Sequence, residues 1–284
     1  MVLNTPAKLN LLLKIKGKSG SFHNLHSLVC FVDIFDEIDI LPTESNEITV
    51  ESKLGLGKDD LVYRAADTLQ KFYGYNGGAK IRVKKSIPAG AGLGGASSDA
   101  AASIKALNKL WELNLPKHDL VKVALICGSD LPLFFEDSTL ILMGGRGERI
   151  KPLNLFSMLY FVIVYPGIQV STKSAYNWYD RLTTGKTATI KHLPAVIDFD
   201  ALSRIIQNDL QLPVAFMVEP VQKAIEALSA AAGGSPVFMT GSGSSVVGMF
   251  ENKKKMEECF KNLKMEAGWN CFTTHSIKLS EKFC

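Results

Sequence analysis

The chain has 284 residues, about two domains at roughly 150 residues each, which excludes a disulfide-stapled miniprotein. Its composition is 46% hydrophobic and 21% charged, with 23 glycines and 11 prolines dispersed along the chain, the profile of a globular, enzyme-sized protein. The 32 Lys and Arg against 28 Asp and Glu leave +4 with no basic blocks and no basic-aromatic interleaving, which argues against nucleic acid as a partner and for a small anionic molecule.

Cys30, Cys127, Cys259, Cys271 and Cys284 are odd in number and widely spaced, so they read as reduced thiols and not as a CxxC metal site or a disulfide framework. The start, MVLNTPAKLNLLLKIKGK, is broken by Lys8 and Asn10 and carries no small-residue cleavage signature, unlike a signal peptide. The longest charge-free stretch, 227–250, is interrupted by Gly233, Gly234, Pro236, Gly241 and Gly243, unlike a membrane-spanning helix. A cytoplasmic protein without membrane contact is expected; its oligomeric state is not legible.

In chain order, Ala7, Leu9, Leu11, Leu13 and Ile15 alternate with Lys8, Asn10, Leu12 and Lys14, which predicts a half-buried strand with Lys8 and Asn10 on one face. A second strand is expected over 28–41, its carboxylates solvated between Ile34, Ile38 and Ile40. Leu61, Ala65, Leu69 and Phe72 predict a helix stopped by Gly74, followed by a strand in AKIRVKK. Ala100, Ile104, Leu107 and Trp111 predict an amphipathic helix from Ser98 to Trp111. Another helix can start at Pro116 and end at Gly128, leaving Asp130 just beyond, where Pro132 disfavours helical geometry for the residue before it. The pattern resets near 152–156, and the apolar run from Leu159 to the Pro166-Gly167 turn reads as a buried strand, giving expected domains of 1–152 and 153–284. Helices over 199–210 and 221–232, a strand pair around GSGSS, a charged helix over 253–263 and a last strand over 269–277 complete the expectation.

The segment Pro88–Ser98, PAGAGLGGASS, is glycine-dense and opens into a helix. Such a loop lets bare backbone approach a phosphate: successive N–H groups form a nest, and the helix N-terminus adds partial positive charge. A tight turn needing small residues is the plainer alternative. Gly90, Gly92 and Gly95 also satisfy GxGxxG, but no parallel-sheet alternation follows, which argues against a dinucleotide fold. A Walker A loop ending at Lys186-Thr187 would need glycine where Asp180 stands. A second cluster, TGSGSS at 240–245, suggests a second glycine wall around the same ligand.

Together PAKLN (Pro6–Asn10), PAGAGLGGASSDAA (from Pro88) and TGSGSSVVGMF (Thr240–Phe250) resemble, in order and spacing, the motifs of the GHMP kinases. The resemblance implies an α+β, two-domain fold: an N-terminal domain like ribosomal protein S5 and a C-terminal ferredoxin-like domain, with ATP and an alcohol acceptor between them. FHNLHSLV (Phe22–Val29) and GSDLPLFF (Gly128–Phe135) are similar to a branch whose acceptor is a cytidine-diphosphate-linked methylerythritol. Carried across, the resemblance implies Lys8 and Asp130 as catalytic residues. The ATP loop would be Pro88, Ala89, Gly90, Ala91, Gly92, Leu93, Gly94, Gly95, Ala96, Ser97 and Ser98, with Lys85 near the nucleotide. Phe22 and Tyr176 would clamp a cytosine whose edge His23 reads, and Asn10 and Thr172 would make further substrate contacts.

Read alone, several of these residues keep a plainer role. Lys8 could be a solvent-facing strand lysine, Tyr176 a core aromatic, Ser98 a helix N-cap as readily as a ligand to Mg2+, and Asp99 a first-turn helix stabiliser. Mg2+ is expected to arrive with ATP, with no metal site on the protein itself. The family usually has Asp-Gly-Tyr-His where this chain has Gly20, Ser21, Phe22 and His23, and Asn where Asp60 stands. A kinase for mevalonate or homoserine, or a non-catalytic ligand-binding member of the fold, are the competing readings.

Overall fold

The computed structural model describes residues 1–20, 22–183 and 197–279. In chain order the elements are β1 (Val2–Ser19), β2 (Phe22–Thr43), β3 (Ile48–Ser52), α1 (Leu61–Tyr73), β4 (Gly78–Lys84), α2 (Gly95–Leu110), α3 (Lys117–Cys127), β5 (Leu140–Gly145) and β6 (Arg149–Leu153). They continue with β7 (Tyr160–Tyr165), α4 (Thr172–Leu182), α5 (Phe199–Ser203), β8 (Gln207–Asn208), α6 (Gln211–Met217), α7 (Glu219–Ala231), β9 (Val237–Met239), β10 (Val246–Phe250), α8 (Lys253–Asn262) and β11 (Asn270–His275).

Two sheets form among the described residues. In the first, the long β2 pairs with β1 along one edge, while its other edge is shared by β5 at one end and β4 at the other; β3, β6 and β8 complete it. The second has the order β11-β7-β10-β9 with antiparallel neighbours throughout, the ferredoxin-like arrangement. The sheets pack face to face: Ala7, Leu9, Leu11, Leu28 and Cys30 meet Phe161, Ile163, Phe238 and Met249. Helices α1, α2 and α3 cover the outer face of the first sheet, and α4, α6, α7 and α8 that of the second.

This layering explains where sequence and structure part. β1 is not half-buried: Lys8, Asn10 and Lys14 are as buried as the leucines between them, because a strand covered on both faces has no solvent side. Asp36, expected to be solvated, is fully buried. The expected helix over 199–210 stops after Ser203, since Gln207 and Asn208 pair in parallel with Leu12 and Leu13 and the side chain of Asn208 caps the carbonyls of Met239 and Gly241 at 2.7 and 2.8 Å. Helix α4, the strand β3 and the β5–β6 hairpin have no counterpart in the sequence reading. Helix α2 starts three residues early, at Gly95, and Pro116 is the N-cap of α3. Pro132 sits in the first turn of a short 3-10 helix, Leu131–Phe135, where its missing N–H has no intrahelical partner to lose. Gly74 ends α1 in the left-handed conformation, as expected, and Asp60 caps its other end by accepting from the Val62 N–H at 2.9 Å. No helix among the described residues is long and apolar enough to cross a membrane.

Phe161 is fully buried where the two sheets meet. Phe161→Ala should therefore cost about 3–5 kcal/mol in urea unfolding, and a loss below about 1 kcal/mol would contradict sheet-on-sheet packing at this position.

Candidate active site

A cleft of about 670 Å³ runs along the glycine loop, lined by Lys8, Asn10 and Lys85, by residues 88–97, and by Asp130, Thr172, Tyr176, Gly241 and Ser242. Its size suits a nucleotide-class ligand. Gly90, Gly92 and Gly94 all have left-handed φ, from +65° to +78°, so the loop advances by alternate positive-φ steps that side chains disfavour. At Gly92 a Cβ would lie 2.3 Å from the Thr240 carbonyl oxygen, and at Gly94 2.7 Å from the Lys8 stem. Gly94 N-caps α2 without a side-chain hydrogen bond, which leaves the first N–H groups of that helix without a side-chain acceptor of their own from the cap. Ser98 is therefore not the N-cap; it is buried within α2, behind the lining residues.

Through Gly241 and Ser242, which line the same cleft, the second glycine cluster borders the ligand space of the first. It also packs against the first: Ser245 N–H donates to the Ala91 carbonyl at 3.2 Å, and Thr240 Oγ1 accepts from the Asn10 N–H at 2.8 Å. Asn208, through its two carbonyl contacts, holds this cluster from behind.

Lys8 is at the junction. Its backbone N–H donates to the Leu93 carbonyl at 2.9 Å, and its Nζ donates to Asn10 Oδ1 at 2.5 Å and to the Gly92 carbonyl at 3.3 Å. Asp130 Oδ2 is 3.6 Å from the same Nζ and is the partly exposed member of the pair. Asn10 in turn donates through Nδ2 to Ser27 Oγ at 2.8 Å, which fixes its amide orientation. The plain reading of Lys8 as a solvent-facing lysine fails, for it is 3% exposed.

Beside the loop, with its lysine at the cleft, lies a second ionic group. Lys85 Nζ bridges Asp36 Oδ2 at 2.5 Å and Asp99 Oδ2 at 2.8 Å. Asp36 also accepts from the N–H groups of Ser86 and Ile87, and Thr5 donates to Asp99 at 2.5 Å. The cluster ties β1, β2, the end of β4 and α2 together at both ends of the loop. Asp99 is thus no first-turn helix stabiliser; it is buried and holds Lys85. Burial works against the charge on Lys85, but Asp99 and Asp36 outweigh it and raise its pKa. Asp36 has two backbone donors as well as the ammonium, so the shortfall falls on Asp99: burial, with Lys85 opposing and Asp36 adding to it, pushes its carboxyl up to about 6.

At the far end of the cleft His23 stacks on Tyr176, with ring centroids 4.6 Å apart and planes 24° apart. Burial, then the negative charge of Asp130, raises the Tyr176 hydroxyl well above its ordinary value, so it stays protonated. Thr172 Oγ1 lies 3.3 Å from Ser242 Oγ. The side chain of Phe22 lies outside the described residues. His23 has a partner the sequence did not announce, Asp180, which stands one helical turn beyond Tyr176 on α4. The signal for α4 was present: Ser171 as N-cap, with Ala175 and Tyr179 as its buried face.

The N-terminal domain model of the GHMP kinases matches residues 60–137 and the C-terminal one residues 191–266. A Chlorobaculum tepidum protein named 4-diphosphocytidyl-2-C-methyl-D-erythritol kinase is 37% identical over 254 residues, 87% of this chain and 88% of that one. The chain belongs to the GHMP kinases. A Syntrophus aciditrophicus protein of the same name is 32% identical over 279 residues, covering 96% of this GHMP kinase and 98% of its own length. A crystal structure titled 4-(cytidine 5'-diphospho)-2C-methyl-D-erythritol kinase superposes with a TM-score of 0.79 at 28% identity, covering 97% of this chain and 99% of that one. The homoserine kinase of Cytophaga hutchinsonii, at 17% identity and a TM-score of 0.70, shares the fold.

Two outcomes follow for this GHMP kinase. Gly92→Ala combines a left-handed φ with a clash against Thr240, and should weaken binding of a non-hydrolysable ATP analogue at least about tenfold, or roughly 1.4 kcal/mol, by calorimetry; unchanged affinity would separate the loop from the nucleotide. Because the native pKa of Asp99 lies above its unfolded value, its stabilising contribution is full below about pH 4 and is lost as pH rises through about 6. Thermal melts should therefore show Asp99→Asn losing less stability than the wild type between about pH 3 and about pH 7, roughly one unit beyond either end of that window.

Proposed function

We propose that this GHMP kinase transfers the γ-phosphoryl group of ATP to the 2-hydroxyl of 4-diphosphocytidyl-2-C-methyl-D-erythritol, a step of the non-mevalonate route to isoprenoids. The observation that carries the chemistry is the Lys8–Asp130 pair, 3.6 Å apart beside the glycine loop. The names of the relatives at 32% and 37% identity support the acceptor.

The residues fit a bound nucleotide. Three left-handed glycines and the N-terminus of α2, whose cap Gly94 offers no side-chain acceptor, form an electropositive cradle for phosphates. When bound, ATP with Mg2+ supplies the phosphoryl group and the charge that neutralises it. The ion would come with the nucleotide, held by its phosphates.

Asp130 accepts the proton of the acceptor hydroxyl as its oxygen bonds to the γ-phosphorus and the bond to ADP breaks. The Lys8 ammonium, with its stem fixed against Gly94 and 3.6 Å from Asp130, stabilises the developing alkoxide. Asn10 holds the ammonium in place. Lys85, at the edge of the cleft, acts through Asp36 and Asp99 and fixes where the cradle begins.

At the other end, Tyr176 offers a stacking surface for the cytosine and Thr172 a further polar contact, and the second aromatic, Phe22, rests on the family resemblance alone. A ring nearly parallel to Tyr176 lies in the plane of a base stacked beside it, so the in-plane nitrogen of His23 addresses the edge of that base. The division proposed is residues 1–152 for the nucleotide and 153–284 for the acceptor, with the cleft at the seam between the two sheets.

Mass spectrometry after incubation with Mg-ATP and, in parallel, the cytidyl substrate, mevalonate, homoserine or galactose tests the proposal. One phosphoryl group on the cytidyl compound alone is expected. Modification of another alcohol would overturn the acceptor, and modification of none would overturn phosphoryl transfer. Asp130→Asn should lower kcat by about 10²- to 10⁴-fold with an unchanged melting temperature, and near-normal turnover would remove Asp130 from the proton transfer.

A further inference from the structure

His23 is held in three directions. Tyr176 fixes its plane by stacking, Tyr179 meets it edge-on with centroids 6.3 Å apart, and Asp180 Oδ1 fixes its in-plane rotation through Nε2 at 2.8 Å. The other oxygen of Asp180 accepts from Lys18 Nζ at 2.6 Å. Partial burial pushes the Asp180 carboxyl up, but the hydrogen bonds from Lys18 and His23 and the charge of Lys18 outweigh this and hold it below the usual carboxylate range. At neutral pH it is an ionised group that accepts hydrogen bonds and donates none.

An acceptor facing Nε2 requires a proton there. In the neutral imidazole the lone pair is then on Nδ1, and that nitrogen is an acceptor. We propose that Asp180, clamped by Lys18, is the positioning residue that sets the base specificity of the site: it locks His23 in the Nε2–H form, whose Nδ1 accepts from an exocyclic amine and rejects a carbonyl. The site thereby takes an amino-pyrimidine nucleoside diphosphate over its oxo counterpart. Cytosine presents an N4 amine at this edge, whereas uracil presents O4, and two acceptors face to face leave both unpaired. This rests on the proposed reading of His23 at the edge of the base.

The lock makes an unusual demand on Asp180→Asn. Lys18 can only donate, so it takes the amide oxygen, which turns the amide NH2 toward His23 and moves the ring proton to Nδ1. The discrimination between bases then changes, and the packing of a half-exposed residue on the surface of α4 does not.

The test is calorimetric titration with cytidine 5'-diphosphate and uridine 5'-diphosphate, each with a saturating non-hydrolysable ATP analogue in the adenosine site. The wild type should favour the cytidine compound at least about tenfold, a difference of roughly 1.4 kcal/mol. Asp180→Asn should bring the two affinities within about threefold, under 1 kcal/mol, mainly by weakening the cytidine compound, and Asp180→Glu should restore much of the preference. A role in folding alone would weaken both ligands in parallel and leave their ratio intact. An unchanged ratio in Asp180→Asn, with the wild type selective, would overturn the lock; a wild type without preference would overturn the placement of the base itself.

Discussion

A lysine ammonium is almost wholly buried at the meeting point of β1 and the glycine loop, and the rest of the site is arranged around satisfying it. Removing such a charge from water costs several kcal/mol unless partners replace the water. Asn10, the Gly92 carbonyl and Asp130 replace it. Each partner brings a different part of the chain: the same strand, the loop, and the turn after α3. The requirement of the lysine for partners therefore draws the carboxylate and the phosphate loop to one point. The close approach of its stem also explains why position 94 has no side chain.

Lys85 has a matching role. Its two carboxylates come from β2 and α2, and Asp36 reaches past it to the backbone where β4 passes into the loop. The glycine loop is thus anchored by two lysines that both line the cleft, Lys8 through the loop carbonyls and Lys85 through Asp36 and Asp99. A loop of six glycines and alanines in eight residues has little side-chain packing of its own, and these contacts replace it. The second sheet contributes the remaining support through Thr240 and Ser245.

Much of this was legible in the sequence wherever the cause is local. The α1 stop at Gly74, the helix after the loop and the buried run of β7 each follow from residues within a turn or two. What escaped depends on partners distant in the chain. Nothing within a few residues of Asp36 distinguishes a solvated carboxylate from one that receives Lys85, 49 positions away. Gln207 and Asn208 leave a helical pattern because β1 offers them a strand to pair with. The alternation in β1 predicts the strand but not the burial of its polar face, since the covering sheet begins about 150 residues further on. Asp180 escapes with its helix, whose buried residues are only Ala175 and Tyr179.

If the buried ammonium serves the transition state and not merely the fold, its charge can be removed while its stem is kept. Single-turnover quench-flow with Lys8→Met, saturated with ATP and the cytidyl acceptor, measures this directly. The predicted result, in a protein that remains folded and saturated with ATP, is a chemical step slowed by about 10³-fold, near 4 kcal/mol. A chemical step within about threefold of the wild type, a difference under 1 kcal/mol, would contradict it.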